Sequence, residues 1–179
     1  MRLTDAHQFD DREGNWVRVL NFDYREHGPL PAHFTAALWR WYAARNRRGL
    51  ARIDAFGRDL SDLNGIAGKW HLFNLEAPQT SGYFLELGRA EDTDGPVSGQ
   101  GSRPFSGWPF PAQVRAHGLS LTGLRQSGDP QLSVITRQYG RQALTYMRLL
   151  CPLSRNGRDI SHAAALIEPD DAVAALGPD

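Results

Sequence analysis

The sequence predicts an α+β domain, an antiparallel sheet with its helices packed on one face. Three observations carry this. Residues 144–166 alternate as two strands about Asn156-Gly157. Residues 32–48 repeat apolar side chains with a helical period. Further strand-like stretches lie before and after a helical or irregular crossing, so the chain leaves the sheet and returns to it.

The hairpin sets the frame. Asn-Gly suits a two-residue type I′ turn, in which both central residues need positive φ. That turn would pair Arg155 with Arg158 and place Leu153 opposite Ile160, Cys151 opposite His162, Leu149 opposite Ala164 and Met147 opposite Leu166. This face is apolar or small apart from His162, so it is expected to be buried. The other face carries Arg148, Pro152, Ser154, Asp159 and Ser161, with Leu150 and Ala163 among them, and is expected to be wet.

Residues 1–31 form an N-terminal extension whose first 14 residues are polar and expected to fray. Trp16, Leu20, Phe22 and Tyr24 share one parity, which favours a strand over 16–24, with one helical turn as the alternative. In the helix over 32–48, Phe34, Ala37, Leu38, Trp41 and Tyr42 form the apolar stripe. Arg45, Arg47 and Arg48 fall in its last turn, and Gly49 follows as the terminator. Residues 50–68 suggest short helical turns. Residues 69–76 and 83–87 suggest an antiparallel strand pair. Residues 88–111 form an irregular Pro/Gly-rich insertion holding Phe105, Trp108 and Phe110 between prolines. A helix or two half-helices follow over 111–126, then a turn at 127–130, a strand over 131–139, the hairpin, and a tail over 169–179.

The chain has 179 residues, enough for one domain with extensions, and a formal net charge of zero. That balance argues against a nucleic-acid or membrane surface read by charge. Cys151 is the single cysteine, so no intrachain disulfide forms. The N-terminus lacks the apolar core of a signal peptide, and no apolar run reaches the roughly 20 residues of a spanning helix. A cytoplasmic protein is the expectation.

Leu38-Trp-Arg-Trp-Tyr42, the linker Arg52-Ile-Asp54 with Asp59-Leu60, and above all Tyr146-Met-Arg-Leu-Leu-Cys-Pro-Leu-Ser-Arg-Asn-Gly157 carry a family resemblance. The run Arg-Leu-Leu-x-Pro-Leu-Ser-x-x-Gly followed by an Ile-containing strand is similar to the last hairpin of short bacterial PAS-like proteins in which one PAS domain makes up most of the chain. The resemblance covers residues 34–168, and the chain departs from the family's pattern after Leu87. It implies a PAS-like curved five-stranded antiparallel sheet around a small pocket, over residues 32–168. It also implies a sensory or protein-interaction module in signal transduction, without catalysis.

The sequence has no His-Glu-x-x-His, no Gly-rich phosphate loop, no cysteine pair and no Gly-x-Ser-x-Gly. The acidic turn at 89–95 lacks the later Glu of a calcium loop. No catalytic residue or metal site is therefore assigned, and no cofactor is named. Flavin is disfavoured, because Cys151 sits on a strand beside Pro152. The expected ligand pocket is lined by Met147, Leu149, Cys151, Ile160, His162 and Leu166, with Trp70 and Leu72. Trp39, Trp41 and Trp108 are the expected interaction surface, for a signalling partner or a second copy of the chain. The alternatives are a small cone-like α+β enzyme using His162 with Asp159 or Glu76, and a ligand-free interaction protein.

Overall fold

The structure is a computed structural model; it describes residues 2–26, 28–57, 70–76, 84–88, 103–104 and 111–169. The elements, in chain order, are β1 (Leu3–Asp10), β2 (Trp16–Phe22), α1 (Ala32–Ala43), α2 (Ile53–Phe56), β3 (Trp70–Asn74), β4 (Phe84–Gly88), β5 (Arg103–Pro104), α3 (Pro111–Ser127), β6 (Gln131–Tyr139), β7 (Gln142–Leu153) and β8 (His162–Pro169). The α+β class holds. All strands join one sheet in the order β1-β2-β6-β7-β8-β3-β4-β5, and every pairing is antiparallel. The five strands β4, β3, β8, β7 and β6 form a contiguous block. The β1–β2 hairpin widens the sheet on one side and β5 on the other.

Helices cover both faces, not one. On the first face, Phe34, Ala37, Leu38 and Trp41 of α1 join Ile53 and Phe56 of α2. They pack in one core with Trp70, Leu72, Leu132, Met147, Leu149, Cys151, Leu153, Ala164 and Leu166 from the sheet. Trp41 anchors the helix there, its indole Nε1–H donating to Pro152 O at 2.8 Å. On the second face lies α3, whose buried side chains include Ala112, Ala116, Leu121 and Leu124. The face expected to be wet is therefore closed: Arg148, Leu150, Ser154 and Ala163 are fully buried, and Ser161 nearly so. The apolar residues Leu149-Leu150 and Ala163 to Ile167 occupy both parities of β7 and β8, the pattern of strands covered on both sides.

The hairpin differs from its expected register by two residues. Leu153 lies opposite His162, Cys151 opposite Ala164, Leu149 opposite Leu166 and Met147 opposite Glu168. The turn is wider because side chains close it. Asn156 Oδ1 accepts from the Arg158 and Asp159 N–H groups at 2.8 and 3.0 Å. Ser154 Oγ accepts from Gly157 N–H at 2.8 Å, and Ser161 Oγ from Arg155 N–H at 2.8 Å. Asx and Ser turns of this kind satisfy the backbone locally and replace the two-residue loop. An even shift keeps each strand residue on its predicted face.

Two more expectations change. Residues 3–10 are not frayed: β1 pairs with β2 around a turn in which Asp11 accepts from Glu13 N–H, Asn15 N–H and the Asn15 amide, each at 2.9 Å. The first helix ends at Ala43, short of the arginines. Asn46 Oδ1 captures the Arg48 and Leu50 N–H groups, which turns the chain back. Arg45 then lies over the Trp41 ring at 4.9 Å and donates to Gly49 O at 2.8 Å. By contrast, α3 runs unbroken through Gly118. The insertion at 88–111 with its three aromatics lies, apart from Gly88, residues 103–104 and Pro111, outside the described residues, as does the tail beyond Pro169.

Candidate functional site

The eight residues assigned to a pocket separate in the structure. Met147, Leu149, Cys151, Leu166, Trp70 and Leu72 belong to the core under α1, packed with Phe34, Trp41 and Phe56. Burial pushes the Cys151 thiol far up from its ordinary value, so it stays protonated and inert. Ile160 lies past the strand end and packs on the opposite face, with Phe73, Leu121 and Leu124. His162 is fully buried at the end of β8. Its Nδ1 meets Ser161 Oγ at 2.9 Å, and its Nε2 faces Arg155 Nη2 at 3.4 Å. Arg155 also reaches Glu76 at 3.4 Å, so the guanidinium stands between His162 and that carboxylate. Asp159 instead accepts from the Asn156 amide at 3.3 Å.

Of the tryptophans assigned to an interaction surface, Trp39 is 74% exposed on α1. Trp41 is fully buried and not available to a partner, because it faces the sheet. Trp108 lies outside the described residues.

The second face of the sheet holds a group of buried polar residues, of which the sequence reading placed Arg148 in solvent. The apolar packing beneath α3 falls into two separate clusters. One joins Phe73, Leu75, Leu121, Leu124, Leu150, Ala163 and Ala165. The other joins Val17, Val19, Ala112, Ala116, Ile135, Tyr146 and Ile167. Between Ala116 and Leu121 on the helix, and between Tyr146 and Leu150 on β7, the structure places His117, Ser120 and Arg148, all buried.

Arg148 is the centre of this seam. Its Nη1 donates to His117 Nδ1 at 2.9 Å and its Nη2 to Ser120 Oγ at 2.8 Å. Its Nε is buried with no acceptor. Among the described residues, no carboxylate stands at ion-pair distance from it. Since His117 Nδ1 accepts, its ring carries the proton on Nε2 and is neutral. Ser120 Oγ donates onward to Ala116 O at 3.0 Å. Across the sheet Ser133 pairs with Arg148, and its hydroxyl donates to Asn21 Oδ1 at 2.7 Å. On the other side the His117 ring lies 6.4 Å from Phe73, which lies 5.9 Å from the buried His71. One turn before His117, Gln113 is 1% exposed, accepts from Tyr139 OH at 3.1 Å, and leaves its amide Nε2 without a partner.

A buried cation held only by neutral acceptors costs several kcal/mol against a paired one. Two surface depressions are poorer candidates. One of about 340 Å³ has Asp5, Asp23 and Asp129 on its rim, with Arg25 already paired to Asp129 at 3.3 Å. The other lies beside Asp10, Asp11 and Glu13. Among the described residues, no three His, Cys, Asp or Glu side chains are grouped to hold a metal ion. None of the described helices is long and apolar enough to cross a membrane.

The signal for Arg148 was present in the sequence. An arginine within a strand that is apolar on both parities is a buried charge, whereas the alternation read from the hairpin alone assigned it to water. No family model, curated protein or solved structure matches the chain.

Proposed function

We propose that the protein is a non-catalytic regulatory module of the PAS-like kind, which binds a small molecule between α3 and the sheet and passes its state to a protein partner. The observation that carries the reading is the Arg148 seam. It interrupts an otherwise apolar helix–sheet interface with a buried guanidinium whose Nε–H has no acceptor. The contiguous five-stranded antiparallel block agrees with the sheet that the family resemblance implies, with the β1–β2 hairpin and β5 as additions. The pocket differs in location from the sequence expectation, because the face beneath α1 is filled by Phe34, Trp41 and Phe56. Transmission uses the outer surface of α1, where Trp39 is exposed.

Native and denaturing mass spectrometry of the purified protein test this reading, together with thermal melts against a panel of small metabolites. A non-covalent mass lost on denaturation, or a saturable rise in melting temperature, is the expected result. A bare-chain mass with a melting temperature indifferent to the whole panel contradicts it.

A further inference from the structure

We propose that the ligand of the Arg148 seam is a small organic carboxylate, bound by the free edge of the guanidinium. This deepens the regulatory reading and rests on it. The guanidinium is planar, and its Nε–H and one Nη–H form a fork that matches the two oxygens of a carboxylate. Arg148 presents that fork: Nε has no acceptor, and Nη2 is held only by Ser120 Oγ at 2.8 Å. Ser120 keeps its bond to Ala116 O if a ligand oxygen replaces it. Nη1 stays on His117, which fixes the plane of the fork.

Water would fill the hydrogen bonds but leave the charge uncompensated, whereas a carboxylate supplies both. One guanidinium surrounded by neutral groups matches one negative charge. A phosphate dianion would need further cationic donors, and the described neighbours His117, Ser120 and Ser133 supply none.

The test is an NMR titration of the intact protein, following the Arg148 Nε–H resonance, assigned by through-bond correlation in the wild type and checked by its loss in R148K. The probes are sodium lactate, sodium phosphate and sodium chloride at matched ionic strength. The expected result is a saturating shift with lactate and none with chloride. A resonance that stays put, or moves equally with chloride, overturns the proposal. So does a saturating shift confined to phosphate. The wild-type titration decides the matter even if R148K fails to fold. Retention of a neutral molecule in the native mass spectrum would defeat this proposal while leaving the regulatory reading intact.

Discussion

Arg148 on β7 and His117 on α3 are joined by a 2.9 Å hydrogen bond across the helix–sheet interface, and both are at most 1% exposed. The bond determines the tautomer of the histidine and the plane of the guanidinium. It also couples the centre of α3 to the centre of the sheet. The proposed ligand, by engaging Arg148, would act on the packing of α3.

Trp41 and Trp39, two residues apart on α1, are expected to behave in opposite ways. Trp41→Phe removes the indole bond to Pro152 O and leaves that carbonyl buried and unpaired. A loss of about 1–3 kcal/mol is expected by urea unfolding. Trp39→Ser should stay within about 0.5 kcal/mol of wild type, because the side chain faces solvent. A large loss at Trp39 would place that residue in a packed interface.

The wide hairpin loop depends on Asn156 and Gly157. Gly157 has φ of 70°, and a Cβ there would lie 3.0 Å from Asn46 Nδ2. Gly157→Ala is expected to cost about 1–2 kcal/mol through backbone strain and that contact. Asn156→Ala removes the acceptor of two backbone N–H groups and should cost about 1 kcal/mol. Equal stability of both variants with wild type in urea melts would show that the loop does not set the register.

Stability should fall as pH rises above about 9, for a reason that sits in the core. Burial raises the Cys151 thiol above its ordinary value of 9.0. Below that value both states hold the proton, and the group adds no pH dependence. Above it the unfolded chain ionises and the folded chain does not, so the unfolded state is favoured by up to about 1.4 kcal/mol per pH unit. The Tyr24 hydroxyl, raised from 10.0 by desolvation and by its 2.8 Å bond to Tyr42, adds the same sign about one unit higher. In Cys151→Ala the loss between about pH 9 and 10 should disappear, while the loss above pH 10 remains. An unchanged profile would mean that the thiol ionises in the fold.

The sequence was most legible where periodicity and burial agree. The stripe Phe34, Ala37, Leu38, Trp41 located α1, and the parity of Met147, Leu149, Cys151 and Leu153 located one core face. Parity survived a wrong register because the side-chain loop shifted the hairpin by an even number of residues. The strand β1 was hidden because it is an edge strand with polar side chains, held by backbone pairing and by the Asp11 turn. The burial of Arg148 was missed for a related reason. A hairpin read in isolation assigns polar residues to water, and only the third layer, α3, makes Arg148 a buried cation. Long-range packing of that kind has no local signature beyond the apolar run on both parities of β8.

The most direct test of the central claim, that Arg148 is retained for binding and not for folding, is the urea midpoint of the double variant R148M/H117L measured without ligand. The substitution removes the cation together with its imidazole acceptor and keeps similar volume. A midpoint at or above that of wild type is expected, with a gain of up to about 1–4 kcal/mol, as when buried ionic groups are replaced by apolar ones. A loss of about 3 kcal/mol or more with the fold retained would contradict it, because the seam would then be a structural network that the native state needs.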